Sequence, residues 1–360
     1  MYINGERAMA WIATVEDVAT IPGADKICAY FVSGWWVVDG INKYQVGDSV
    51  IYISVDSWVP NTIAPFLSKG KKPRTYNNVL GEKLKTIKLK GQLSQGLLLH
   101  PSIIQTANPF SEGEVAELKV GNDVTQLLGI QKWEEFIPAC LSGQAEGSFP
   151  SCIPKTNQER VQNYRREVFD TNKDTKYEVT LKMHGTSATY FRLNEKYGIC
   201  SRNWMLKNNT ENENNLYVKF FNDNKLKEFL DLFDEDVAIQ GELVGPGIQD
   251  NFENTSDVML FIFDVYLIKQ QRYALPIERH SMLDKILADE TKFIKIQKIQ
   301  VMEYNKRLNE LGLNTLDDVL QYAEGAGMNI PMREGLVFKA MNKDFSFKAV
   351  SNGFLLRYEQ

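Results

Sequence analysis

Between Ala8 and Leu99 the chain is cut by turn signals into short apolar runs, and runs of that length leave a small all-β unit as the natural solution. The runs are AMAWIATV, ICAYFVSGWWVV, SVIYISVDSWV and LKTIKLKG, separated by IPGAD, VDG and QVGD. β-Branched and aromatic residues suit a pleated strand, while glycine, proline and aspartate punctuate one.

One edge of this unit is strongly basic. From Lys69 to Lys90 stand Lys69, Lys71, Lys72, Arg74, Lys83, Lys85, Lys88 and Lys90 against the single acid Glu82. Such an excess can follow a phosphate backbone; a solvated loop and strand face is its commoner origin. Five strands with a basic edge, plus Tyr30, Phe31, Trp35 and Trp36, suit a barrel of OB type, an architecture that commonly binds oligonucleotides. In small barrels, though, tryptophan is more often core than stacking platform.

At 360 residues and 43% hydrophobic content the chain can bury more than one core, so two domains are expected. No apolar run approaches the roughly 18 residues that span a bilayer, and MYINGERAMA lacks a secretory layout, which places the protein inside a cell, in the cytoplasm, with no membrane partner. Cys28, Cys140, Cys152 and Cys200 include no CxxC pair and read as reduced packing thiols. His100, His184 and His280 are too dispersed to propose a histidine metal centre. The net charge of −5 argues against coating nucleic acid by bulk electrostatics.

The expected organisation is a barrel over 1–107, a helical connector over 108–167 and an α+β domain over 168–360. The connector contains a helix-like VTQLLGIQKWEEFIPACL and the Gly-, Pro- and Ser-rich GQAEGSFPSCIPKTNQ. In the last domain YEVTL, SATYFRL, VAIQGELVG, VMLFIFDVYLI, GLVFKA and FSFKAV read as strands. NNLYVKFFNDNKLKEFLDLF, IERHSMLDKILADE and TLDDVLQYAEG have helical spacing, the last with Thr315 as N-cap.

Chemistry concentrates around YEVTLKMHGTSATYF, where Lys182 ends one strand, HGTS turns the chain and a second strand begins. A lysine with a pKa near ~10.4 is a poor nucleophile at neutral pH unless desolvation or nearby cations depress it. A strand-end lysine by itself is usually a surface charge. Here further segments follow in order: SRN with Arg202, IQGELVGPG with Glu242, FIFDVY with Phe261 and Phe263, REGLVFK with Glu334 and Lys339, and FSFK with Lys348.

This ordered set resembles the covalent nucleotidyltransferase superfamily of ATP-dependent DNA and RNA ligases and mRNA capping guanylyltransferases. The form Lys182-Met183-His184-Gly185-Thr186, behind an N-terminal barrel, resembles the Deinococcus- and Naegleria-type RNA ligases over nearly the whole chain. A lone KxHG is a weak match, whereas the full set in order is a strong one. The resemblance implies an OB-like β-barrel followed by a nucleotidyltransferase domain of ATP-grasp-like antiparallel sheets with helices.

It further implies that Lys182 attacks the α-phosphate of ATP to give a lysyl-AMP. The AMP then passes to a 5′-phosphate, and a 3′-hydroxyl attacks to seal the break. The partner is a nicked duplex with an RNA 3′-OH strand, and a monomer is the expected state. By the same resemblance Arg202 grips phosphate or ribose, and Glu242 holds ribose or a metal-bound water. Phe263 stacks on adenine, with Phe261 as second candidate, and Glu334 is a metal-associated carboxylate. Lys339 and Lys348 neutralise the triphosphate, and Arg160 lies near substrate phosphate. Glu178, His184 and Gly185 complete the nucleotide-binding set, and the oxygen ligands of Glu242 and Glu334 suit Mg²⁺ or Mn²⁺. Each has a plainer reading: strand-end carboxylates, core phenylalanines, a turn-shaping histidine. Two positions depart from the pattern: Ser346 stands where many relatives carry the first lysine of Lys-x-Lys, and Ser187 where some carry Asn. A capping-type guanylyltransferase and an inactive nucleic-acid-binding relative are the rival readings.

Overall fold

The computed structural model describes residues 2–3, 6–107, 118–133 and 144–358. The chain divides into two compact units, residues 1–136 with 162–165 and 355–360, and residues 137–161 with 166–354. Among the described residues no helix is long and apolar enough to cross a membrane.

The first unit is built on five antiparallel strands, β1 (Ala10–Thr20), β2 (Ile27–Val32), β3 (Trp35–Gly40), β4 (Ser49–Ile53) and β5 (Leu97–Leu99), in the spatial order β5-β4-β1-β2-β3. β1 is what curls the sheet. Its first half pairs with β4 and its second half with β2, and a register shift between Val15 and Asp17 bends it where the partners change. The run ICAYFVSGWWVV becomes a hairpin because Ser33 and Gly34 both take positive φ, 52° and 89°. The barrel nearly closes where the approach to β5 returns to β3: the Gln95 amide donates to the Trp36 carbonyl at 2.8 Å and the Val38 amide to Ser94 Oγ at 2.9 Å.

Trp11, Tyr30, Trp35 and Tyr52 fill the barrel core, so these aromatics are packing residues. Trp36 and Phe31 stay half-buried against each other, ring centroids 5.0 Å apart. The basic run lies on a second small sheet and a hairpin, Ile87–Leu89 with Gln92–Ser94. Arg74 pairs with Glu82 and Lys83 with Asp56, while Lys69, Lys71, Lys72, Lys85, Lys88 and Lys90 are exposed.

The connector differs from expectation. Residues 124–133 form turns and a short strand, Gln131–Lys132, paired with Ser57–Pro60; 134–141, with Cys140, lie outside the described residues. Val124, Leu128 and Ile130 are buried with Ile12 and Ile51, so the helical-looking spacing serves the first unit's second core. Gly129, at φ +63°, ends the turn. Further on, β6 (Glu159–Arg160) already belongs to a sheet of the second unit.

That unit carries two sheets. The first places β6 beside the others in the order β6-β14-β13-β7-β12, with β7 (Lys176–Lys182), β12 (Val301–Arg307), β13 (Gly335–Ala340) and β14 (Ser346–Val350); β6 runs parallel to β14 and all other pairs are antiparallel. The second is centred on β8 (Thr186–Leu193), β9 (Lys196–Cys200), β10 (Val237–Val244) and β11 (Met259–Leu267), ordered β9-β8-β10-β11. Helices pack on its outer face: Val218, Phe221, Phe229 and Leu283 meet Tyr190, Ile239 and Ile262 there. The predicted helix over 214–233 is two helices, Leu216–Asp223 and Leu226–Asp231, broken at Lys225 with φ 53°. Thr315 caps its helix as expected, accepting from the Asp318 amide at 3.2 Å.

Candidate active site

β7 ends at Lys182 in one sheet and β8 begins at Thr186 in the other, so only Met183, His184 and Gly185 carry the chain across. Side chains alternate along a strand. Lys182, Thr180 and Glu178 therefore share a face of β7, opposite Gly335, Val337 and Lys339 on β13. Lys348 pairs with Val337, and Arg160 with Lys348, which adds both cations to the same face.

Lys182 Nζ donates to Glu334 Oε1 at 2.5 Å, and His184 Nδ1 lies 3.3 Å from Glu334 Oε2. Burial alone would raise the pKa of Glu334, but the Lys182 charge and the His184 hydrogen bond outweigh it and hold the carboxyl at about 2. Glu242, on β10 opposite Ser187, behaves in the other direction. Burial pushes it up to about 8, aided by the Glu334 charge and only partly opposed by Lys182 and Arg202. Arg202 stands exposed just past β9. Lys348 is pushed down to about 7 by burial and then by the Lys182 and Arg160 charges.

Gly185 is required by space. A Cβ there would sit 2.2 Å from the Leu243 carbonyl oxygen and 2.8 Å from Val244 Cγ1. Gly335, opposite Lys182, has φ +155° and would place a Cβ 2.2 Å from the Ala349 oxygen. Both glycines let strands approach closely around the lysine.

The two phenylalanines separate. Phe261 is 3% exposed and packs with Leu181, Met183, Val244 and Ile299, which makes it core. Phe263 sits at the register shift of β11 against β10 and is half-buried, with Lys339 Nζ 5.6 Å from its ring centroid.

Glu178 and Lys339 are not brought to the Lys182 cluster. Glu178 lies four residues down β7, about 13 Å along an extended strand. It is fully buried and bonded to Arg279 and His280 of α1 (Pro276–Ile286). Burial would raise it, but those two partners draw it down to about 2. Lys339 is ion-paired with Asp264, donates to the Phe263 carbonyl at 2.8 Å, and is pushed below the usual lysine range by burial. The two are bound up in a buried ionic chain that joins both sheets to α1, and such pairs must be complete to be tolerated.

Sequence reasoning missed Asp264, Arg279 and Glu253. Asp264 lies inside FIFDVY and Arg279 inside a helical pattern, where neither stands out. Glu253 is buried in the β10–β11 loop and accepts the His184 backbone N–H at 2.9 Å.

Glu242 and Glu334 offer the oxygen donors that hard divalent cations take. Among the described residues no group of three or more His, Cys, Asp or Glu side chains is placed to hold a metal ion, so water and phosphate oxygens would fill most of its shell.

The RNA ligase family profile matches residues 175–350, and an OB-fold domain profile matches 9–101. A Naegleria gruberi RNA ligase variant in its apo form is 36% identical, with a TM-score of 0.83 over 97% of this chain and 98% of that one. A variant of the Naegleria enzyme solved with ATP and Mn gives 37% identity and a TM-score of 0.82 over 96% and 98%. Another, with AMP and Mn, gives 37% and 0.83 over 97% and 98%. No curated protein sequence matches the chain.

Proposed function

The chain belongs to the RNA ligase family, with an N-terminal OB-fold, and is an ATP-dependent RNA ligase; from that premise we propose that it seals nicks through a lysyl-AMP at Lys182, with a 3′-OH strand of RNA. The observation that carries the reading is the Lys182–Glu334 pair at 2.5 Å, ringed by His184, Glu242 and Lys348.

In the first step Nζ of Lys182 attacks the α-phosphorus of ATP. The Nζ–P bond forms as the bond to the bridging oxygen breaks; pyrophosphate leaves with that electron pair, and the nitrogen gives up a proton to solvent water. Glu334 fixes Nζ at the mouth of β7, and a nucleophile held in place gains much of its rate from position alone. Lys348 and Arg160 share a sheet face with Lys182, where their charge balances the phosphates. Arg202 approaches phosphate or ribose from the rim, Glu242 faces the ribose, His184 and Gly185 shape the turn, and Phe263 offers the accessible ring for adenine. Glu242 and Glu334 would supply protein ligands to a divalent ion such as Mg²⁺ or Mn²⁺, whose charge would offset that of the phosphates.

In the second step a 5′-phosphate oxygen attacks the AMP phosphorus and Lys182 leaves. In the third, the RNA 3′-hydroxyl attacks the adenylated phosphate and AMP departs. The exposed lysines of the first unit suit the phosphates of a nicked duplex.

Radiolabelled ATP with Mg²⁺ or Mn²⁺ tests the first step. An acid-stable AMP adduct that disappears in Lys182→Ala is expected; no adduct, or one formed from GTP in preference to ATP, refutes the reading. Nicked duplexes with RNA or DNA on each side of the break test the substrate, with sealing expected only where the 3′-OH strand is RNA.

A further inference from the structure

The loop between β10 and β11 exposes Gln249, Asp250 and Asn254 and buries Phe252 and Glu253. Gln249, Asp250, Asn251 and Asn254 all have positive φ, from 45° to 54°, a conformation that most L-residues avoid and that Asn and Asp tolerate best. Four such residues in six positions persist only where the surroundings over-determine them. The loop is tied to itself by Asn251, which donates to the Thr255 carbonyl at 2.9 Å and accepts the Thr255 amide at 3.2 Å. Asn329 anchors it from outside, donating to the Glu253 carbonyl at 3.1 Å.

What the loop delivers is two side chains against one residue. Phe252 meets the His184 ring edge-on with centroids 5.2 Å apart, and Glu253 accepts the His184 backbone N–H. Glu253 is 1% exposed, and its second oxygen, Oε2, is buried without a hydrogen-bond partner among the described residues. A buried carboxylate with one oxygen unmet is an expensive way to satisfy a single amide. His184 stands two residues past Lys182 and its ring reaches the carboxylate that holds Nζ.

We propose that Glu253 is a positioning residue for adenylation: through the His184 amide it fixes the turn after Lys182, and so the aim of the Lys182 amine on the α-phosphorus. The inference rests on the lysyl-AMP reading above. It gives the strained loop a task and explains why a carboxylate with no access to substrate is kept beneath the turn.

The test compares single-turnover adenylation in Glu253→Ala and Glu253→Gln. The amide keeps an acceptor for the His184 N–H, whereas alanine removes it. Alanine is expected to slow adduct formation at saturating ATP by about tenfold or more, since a misplacement of ~1 Å can cost on the order of 100-fold. Affinity for a non-hydrolysable ATP analogue should change little, and glutamine should restore most of the rate. Sealing of a nick that is already adenylated should also survive in the alanine variant, because that step does not use the Lys182 amine as nucleophile. If Glu253→Ala does not fold, Glu253→Asp, which shortens the reach and keeps the charge, is expected to show the same loss. Wild-type adenylation rates in the alanine or aspartate variant, or a glutamine variant no faster than alanine, overturn the proposal. A wild-type chain that makes no adduct fails at the earlier step and removes the premise, a result distinct from any difference among Glu253 variants.

Discussion

Glu334 reaches Lys182 from the neighbouring strand because Gly335 stands directly opposite Lys182 in the β7–β13 register. One residue before that pairing, the Glu334 carboxylate meets Nζ at 2.5 Å and the His184 ring at 3.3 Å. A single strand register therefore places Lys182, Glu334 and the His184 turn within reach of one another.

Removing that carboxylate should leave the lysine unaimed. Glu334→Gln is expected to lower the adenylation rate by about 100- to 1,000-fold, the range for losing one preorganised electrostatic partner. Rapid-quench measurement of labelled AMP transfer checks this. Adenylation within a few-fold of wild type would show that the pair is incidental to the chemistry.

Glu242 predicts a stability cost with a definite pH window. Its folded-state pKa is about 8 against an ordinary 4.5, so the folded chain holds a proton that the unfolded chain has released. Below 4.5 both states are protonated and there is no penalty. As pH rises from 4.5 towards 8, the unfolded state is favoured progressively, and above 8 the penalty is constant. Glu242→Gln, which stays neutral, should therefore melt higher than wild type at about pH 8 without nucleotide, with the gap closing near pH 4.5. Thermal unfolding of both proteins at the two pH values measures it, and the same variant should be deficient in adenylation.

Strands β7, β8, β10, β11, β13 and β14 are legible because each is a largely buried run rich in apolar, β-branched or aromatic residues, and burial is what a sequence pattern records. The edge strand β12, VMEYNKR, is not, since it is largely open to solvent and carries no apolar face to betray it. The same logic divides the site. Lys182, Glu242 and Glu334 stand in ordered motifs that single them out as candidates, whereas Glu253 lies in a loop whose shape depends on its backbone conformation. Glu178 and Lys339 fall in the same motifs, and their ion pairs with Arg279 and Asp264 depend on α1 and β11, which strand order does not reveal. The spacing of Val124 and Leu128 suggests a helix, yet those side chains complete the first unit's second core, with Ile12 and Ile51. Periodicity reports which residues are buried, not which partner buries them.

Lys348 predicts a proton linked to nucleotide binding. With a pKa of about 7 the amine is largely neutral at about pH 8 and charged at about pH 5.5. A bound triphosphate favours the cation, so binding at the higher pH should draw in a proton through this group, and binding at the lower pH should not. Calorimetric titration with a non-hydrolysable ATP analogue, repeated in buffers of different ionisation enthalpy, reads the uptake directly. Lys348→Ala should abolish the contribution seen at the higher pH. An uptake unchanged in that variant would assign the proton to another group.

The lysines of the first unit make the last prediction, and salt is the variable that isolates it. Lys71, Lys72, Lys88 and Lys90 are exposed, and none of them takes part in the Lys182 cluster. If they lie along a phosphate backbone, each lysine replaced should flatten the plot of log affinity against log salt by roughly 0.7–0.9. Alanine at all four positions should weaken binding to a nicked duplex most at low salt and hardly at all at high salt, where screening has already removed the attraction. Adenylation by ATP alone should continue, because it needs no nucleic acid. Parallel salt plots for the variant and wild type would mean that these lysines are only a solvated face, and the groups that hold the phosphates would then have to be sought elsewhere on the chain.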